Sequence, residues 1–200
     1  MSFFKKKVVL VSLLVLAISA VAIAYVNGQS KPDVNIHKVV NLSANSLTFH
    51  EIDKLDAFAE LIVIVYAKED FRDREHVITG FDDGTMQSFH TNTNIKIEKI
   101  LKKPNGFPSD QNKLTIIEPV SLKGDVKYTV DDYVELQKNN KSVIFLMKNT
   151  FGNYGLINDN LGKFSLEETS QSNFPQSFTS QELSEYETFR NSVLEKYNLN

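Results

Sequence analysis

The 200-residue chain has no cysteine. That excludes disulfides, thiolate nucleophiles and Cys-ligated zinc, and it excludes a lipoprotein-type attachment, which needs a cysteine at the cleavage point. A domain of this composition is held by its core alone. Basic charge is not in excess either. Of 22 Lys+Arg, three (Lys5, Lys6, Lys7) precede a long apolar run that no acid precedes, which leaves 19 basic against 25 acidic residues in the remainder. A net negative domain does not neutralise phosphates, so nucleic acid is not an expected partner. The G-x-S-x-G elbow and the G-x-x-x-x-G-K-[ST] and G-x-G-x-x-G loops are all missing, as are internal repeats and sustained heptads. No catalytic, cofactor-binding or metal-ligating residue is assigned from the sequence.

What is present begins with KKKVVLVSLLVLAISAVAIAYV, Lys5 to Val26, where only Ser12, Ser19 and Tyr25 interrupt the apolar run after the lysines. The lysines stay on the cytoplasmic side and the rest of the chain goes outside. Two fates remain open. Ala20-Val21-Ala22 and Ala22-Ile23-Ala24 suit a signal peptidase, whereas the length of the run approaches the roughly 20 residues that span a bilayer. The expectation is a single-pass membrane protein with its C-terminal domain outside, or alternatively a secreted one.

The rest divides into a linker over 29–46, a domain over 47–166, a tether over 167–179 and a C-terminal helix over 180–200, after an anchor or signal segment over 1–28. Thr48-Phe49-His50-Glu51 has the form of a capping box, and Ile52, Leu55, Phe58 and Ala59 recur at helical spacing, predicting a helix from about Phe49 to Glu60. Leu61 to Tyr66 is an unbroken apolar run rich in β-branched residues, as in a strand buried on both faces. Asp82-Asp83-Gly84 signals a hairpin, and the returning strand places Phe89, Thr91, Thr93, Ile95 and Ile97 on its core face. Lys102 to Asn112 is a loop, and Leu114 to Glu118 a strand closed by Pro119. Asp131 or Asp132 is expected to cap a short helix through Leu136, followed by strands over Ser142–Met147, Tyr154–Ile157 and Lys163–Leu166 in a meander. Thr179-Ser180-Gln181-Glu182 is a second capping box, and Leu183, Tyr186, Phe189, Val193, Leu194 and Tyr197 form one stripe of the last helix.

These elements define an α+β, mainly β chain. Their order, with Leu61–Val65, the strand ending Ile97-Glu98-Lys99-Ile100-Leu101-Lys102, the later Val143–Asn149 strand and Gly162-Lys163-Phe164, resembles uncharacterised membrane-anchored extracellular proteins of Gram-positive bacteria. The resemblance covers roughly Leu47 to Leu166. It implies a small OB-like β-barrel of netrin-module type and no residue roles. Where that pattern carries glycines, this chain has Lys103-Pro104 and Asn140-Lys141.

Three constellations merit a place in the structure. His76 and His90 flank the Asp82–Gly84 turn; a three-residue loop pairing Phe81 with Thr85 sets the two imidazoles opposite each other, where they suit a divalent metal with Asn92 nearby. Asp131 and Asp132 form a carboxylate pair. Tyr128, Tyr133, Phe151 and Tyr154 suit an aromatic platform at a barrel mouth. The plain alternatives are a solvated face, helix capping and rim packing. The functional expectation is a non-catalytic extracytoplasmic binding or interaction module, held at the membrane by its N-terminal helix, with an extracellular protein or cell-wall ligand as partner. A secreted hydrolase or enzyme inhibitor is the alternative.

Overall fold

The computed structural model describes residues 36–44, 47–167, 174–175 and 177–199. The anchor or signal segment and the first part of the linker lie outside the described residues. Among the described residues no helix is long and apolar enough to cross a membrane.

Five strands close a barrel. In ring order they are β2 (Leu61–Ala67), β4 (Met86–Lys102), β5 (Lys113–Glu118), β9 (Tyr154–Leu156) and β8 (Ser142–Lys148), which returns to β2. All neighbours are antiparallel except β5 and β9, which meet in parallel at Ile117 and Gly155. The barrel closes despite Lys103-Pro104 and Asn140-Lys141, because both pairs lie in connections outside the strands. β3 (Glu75–Gly80) extends β4 as a hairpin, and β10 (Lys163–Ser165) adds to β8. β9 is thus wedged between β5 and β8, so the last strands do not form the expected meander.

Alternate residues of the apolar runs serve two cores. Leu61, Val63, Val65, Ile144 and Leu146 fill the barrel interior with Ile95, Ile97 and Ile116. Ile62, Ile64, Val143 and Phe145 point the other way and are covered by helices. Such double burial is why β2 and β8 read as continuous apolar strings rather than alternating ones. β4 behaves differently: Thr91, Thr93, Ile95 and Ile97 are buried while Asn94, Lys96 and Glu98 are exposed, matching the expected face.

The outer core is closed by α1 (Ile52–Phe58) and α2 (Ser180–Lys196). α1 starts three residues later than expected; its N-cap is Glu51, which makes no side-chain cap bond, so the Thr48 box is not formed. The second box is. Glu182 N–H donates to Thr179 Oγ1 at 3.3 Å, and Thr179 N–H donates to Glu182 Oε2 at 2.7 Å. Tyr186, Phe189, Val193 and Leu194 carry the stripe into the core, with Phe164 and Tyr186 rings 5.5 Å apart. A 17-residue helix is marginal alone, and this packing, at about 1.5–3 kcal/mol for each large apolar side chain, holds it.

Two segments depart from their expected roles. Residues Lys38–Leu42, placed in the linker, form β1, which pairs in parallel with β7 (Val126–Val130) in a three-stranded sheet completed by β6 (Val120–Lys123). The backbone supplies the reason, since β7 offers an open edge to which a short Val-Val strand adds. In the expected tether, Phe174 is buried and its ring meets Tyr186 at 4.7 Å.

Candidate functional site

The densest polar cluster lies inside the barrel end, and the structure uses it to hold itself together. Glu118 occupies the same strand face as Ile116, two residues on, so its side chain enters the core. Arg74 Nη1 donates to Glu118 Oε2 at 2.9 Å, and Thr93 Oγ1 donates to the same oxygen. Tyr133 OH and Leu136 N–H each donate to Oε1 at 2.7 Å. The guanidinium is likewise spent, since Nε and Nη2 donate to the carbonyls of Glu69 and Leu136 and Nη1 also donates to Thr93 Oγ1 at 3.4 Å. Every lone pair that a reacting atom would need is occupied. Burial, then the Glu118 carboxylate, pushes the Tyr133 phenol well up, so it remains a donor.

Next to this cluster, burial outweighs the pull of Glu118 and Glu135 on Lys163 and brings its ammonium down to about 8. Its Nζ lies 5.3 Å from the centre of the Tyr133 ring. Glu135 instead pairs with Lys127 at 2.5 Å; burial raises that carboxyl, but Lys127 carries it below the ordinary range. The space beside Lys163 is a cavity of about 10 Å³, the size of one water.

The expected constellations do not assemble. The three-residue turn forms, with Phe81 N–H donating to Thr85 O at 2.8 Å and Gly84 at φ +83. A register shift between Thr79 and Gly80 then moves the pairing by one residue, so that His76 sits opposite Thr91 and His90 opposite Val77. The imidazoles are not cross-strand partners, and His76 Nδ1 is taken by Leu122 N–H at 3.2 Å. Asp131 and Asp132 cap no helix. Both adopt left-handed backbone, at φ 46 and 52, and their carboxylates tie down Ala44 N–H and Ser177 Oγ. The four aromatics scatter, for Tyr133 and Tyr154 are buried and Phe151 is 87% exposed.

The sequence reading missed the groove between the start of α1 and the outer face of α2. It encloses about 920 Å³, at the upper end of ordinary ligand sites. Ile52, Leu161, Phe178, Tyr186 and Phe189 line it with apolar surface; Glu51, Asp53, Glu182 and Glu185 stand exposed around it. No lysine or arginine lines it among the described residues, and His50 is its one imidazole. Its walls are firmly joined further along α2, where Lys196 Nζ meets Asp53 at 2.6 Å and Tyr197 OH donates to Asp56 at 2.9 Å. The signal that pointed to it was the helix stripe itself, in which Tyr186 and Phe189 are flanked by Glu182 and Glu185.

Compared with known proteins, the chain matches no family model and no curated sequence.

Proposed function

We propose that the protein is a non-catalytic, extracytoplasmic binding module, held at the membrane by its N-terminal segment, and that the groove between α1 and α2 receives its partner. The observation that carries this reading is the groove: preformed, about 920 Å³, apolar within and polar at its margin, as binding sites are built. The apolar run Val8–Val26 with its preceding lysines supports the location. The order in which the five barrel strands meet, first-second-third-fifth-fourth, with third and fifth parallel, supports the finer likeness to an OB-type barrel. An extracellular protein is the partner class in view.

Photo-crosslinking on intact cells tests it. A crosslinking residue in place of Ser184, on the exposed wall of the groove, is expected to trap one discrete adduct, and the same residue in place of Phe151, on the exposed β8–β9 turn, to trap none. Equal labelling from both positions, or none from either, removes the groove as a binding site. Intact mass from washed membranes against the medium decides the location: full length in membranes fits an anchor, and a mass beginning at Tyr25 in the medium fits a secreted protein.

A further inference from the structure

We infer that the partner docks through a cationic amphipathic segment of its own chain, whose apolar side chains enter the groove while its lysines or arginines meet the carboxylates at the rim. This rests on the groove being the binding site.

Three features of the site select that chemistry. First, the carboxylates that line the site, Glu51 and Asp53 on the α1 wall and Glu182 and Glu185 on the α2 wall, have no lysine or arginine among the lining residues described; Lys54 and Lys196, just outside it, pair with Glu51 and Asp53, so the charge without a cationic partner stands on the α2 wall. A ligand carrying phosphate, sulfate or carboxylate meets repulsion from Glu182 and Glu185 and finds no cation lining the site, which disfavours anionic lipid headgroups and acidic peptides. Second, the rim carboxylates are not used up in the way Glu118 is. Glu185 accepts a single bond from Gln181 at 2.9 Å, and Glu51 a single ion pair from Lys54 with both side chains more than half exposed. Such exposed pairs exchange partners at little cost. Third, the surface inside is apolar and partly aromatic, with Ile52, Phe178 and Phe189 presented between the charged walls. A fully hydrophilic cation would leave that surface wet, and a neutral hydrocarbon would leave the rim unanswered. An amphipathic segment with apolar positions on one face and basic positions beside them answers both, in the helix-in-groove manner.

The charge is also supplied by local structure rather than by chance exposure. Glu182 is the third-residue carboxylate of the capping box and so is fixed at the rim by Thr179, while Glu185 follows one turn later on the same face. On the opposite wall, Glu51 and Asp53 lie at the N-terminal end of α1. The two pairs bracket the apolar strip, so charge recognition sets both the sign and the orientation of what enters.

The test uses the full-length chain in phosphatidylcholine nanodiscs, with empty nanodiscs subtracted, and two labelled peptides of about 18 residues, one of leucine and lysine in amphipathic helical order and the other with glutamine for every lysine. The expected result is saturable binding of the lysine peptide, weakened about tenfold between about 0.05 and 0.5 M salt, and weakened several-fold at low salt in the double variant Glu51→Gln/Glu185→Gln. Neither residue holds the fold, so the variant reports recognition. The glutamine peptide is expected to bind at least about tenfold more weakly. Equal binding of both peptides, lost on filling the groove with Ser184→Trp, overturns the charge inference and leaves the groove as a binding site. Binding of the lysine peptide that Ser184→Trp does not alter overturns the inference and the proposed site together.

Discussion

The Glu118 cluster and the rim of the groove are both carboxylate-rich, and they differ in how completely the carboxylates are satisfied. Glu118 has four donors within the protein and no exposed surface. The rim carboxylates have one or two partners each and face water. A buried charge must be paired, because the unpaired state costs several kcal/mol; an exposed one need not be. The saturated site has therefore nothing left to offer a ligand, while the unsaturated one does. A cluster of polar side chains in a core is a poor guide to function unless some of its bonding capacity is free.

The largest expected effect breaks the saturated site. Glu118→Ala or Arg74→Ala leaves a buried opposite charge unpaired and is expected to lower stability by about 3–5 kcal/mol, read by urea unfolding. The double change Arg74→Met/Glu118→Leu removes both charges and is expected to recover only the unpaired-charge part of that loss, because Thr93 Oγ1, Tyr133 OH and Leu136 N–H lose their acceptor. If the single variants unfold at the parent's midpoint, the cluster is not structural, and the distinction between the two regions falls with it.

Much of this was legible in the sequence, for physical reasons that differ by element. The strings Leu61–Tyr66 and Ser142–Met147 announced strands buried on two sides because each face found its own core. The Thr179 box was legible because capping is local, whereas the Thr48 box, with the same local form, is not used and α1 starts after Glu51 instead. The His76–His90 pairing was not, since one residue of slip reverses a face, and the one marker of the shift at Thr79/Gly80 is Gly80 itself, a glycine within the strand of the kind that goes with a bulge. The hairpin of β6 and β7 was overlooked although Lys123-Gly124-Asp125 marks its turn, with Gly124 at φ +63. Asp131 or Asp132 read as the cap of a short helix through Leu136, but both take left-handed backbone and the segment runs irregularly into Leu136, whose N–H is needed by Glu118. Glu118 itself carried a signal, a charged residue at an inward position two after Ile116. Its partner Arg74 lies 44 residues away, so nothing local identified the pair. The groove was half legible: the α2 stripe showed, but the opposing wall depends on tertiary packing.

A smaller effect concerns Lys163, the buried charge beside the saturated cluster. Lys163 holds its proton less tightly in the folded chain, at about 8, than unfolded, at about 10.4. Between these values the unfolded chain binds the extra proton, so stability is lowest below pH 8 and rises as pH climbs through 8. Tyr133, Tyr186 and Tyr197 act oppositely, because burial raises all three phenols in the fold and the unfolded chain ionises first above about pH 10. Stability is therefore expected to peak between about pH 8 and 10. Lys163→Met is expected to abolish the rise and to add on the order of 2–3 kcal/mol near pH 7. A parent profile that is flat from pH 7 to 9.5 would mean that Lys163 is solvated, and that the inner site is less closed than its packing indicates.

The smallest effect joins the two regions, because Glu182 both caps α2 and stands at the groove rim. Thr179→Ala removes the acceptor for the Glu182 N–H and is expected to cost about 1 kcal/mol, with Thr179→Ser close to the parent. The substitution also removes the 2.8 Å bond that the Thr179 hydroxyl donates to Glu182 Oε2, but the carboxylate keeps its 2.7 Å bond from the backbone N–H of residue 179, which holds it at the rim. Urea midpoints and binding of the lysine peptide, measured on the same preparations, separate the two roles. A lower midpoint with unchanged affinity places the hydroxyl in the fold alone. If affinity falls in step with the midpoint, the first turn of α2 is what shapes the groove, and capping and recognition are one device.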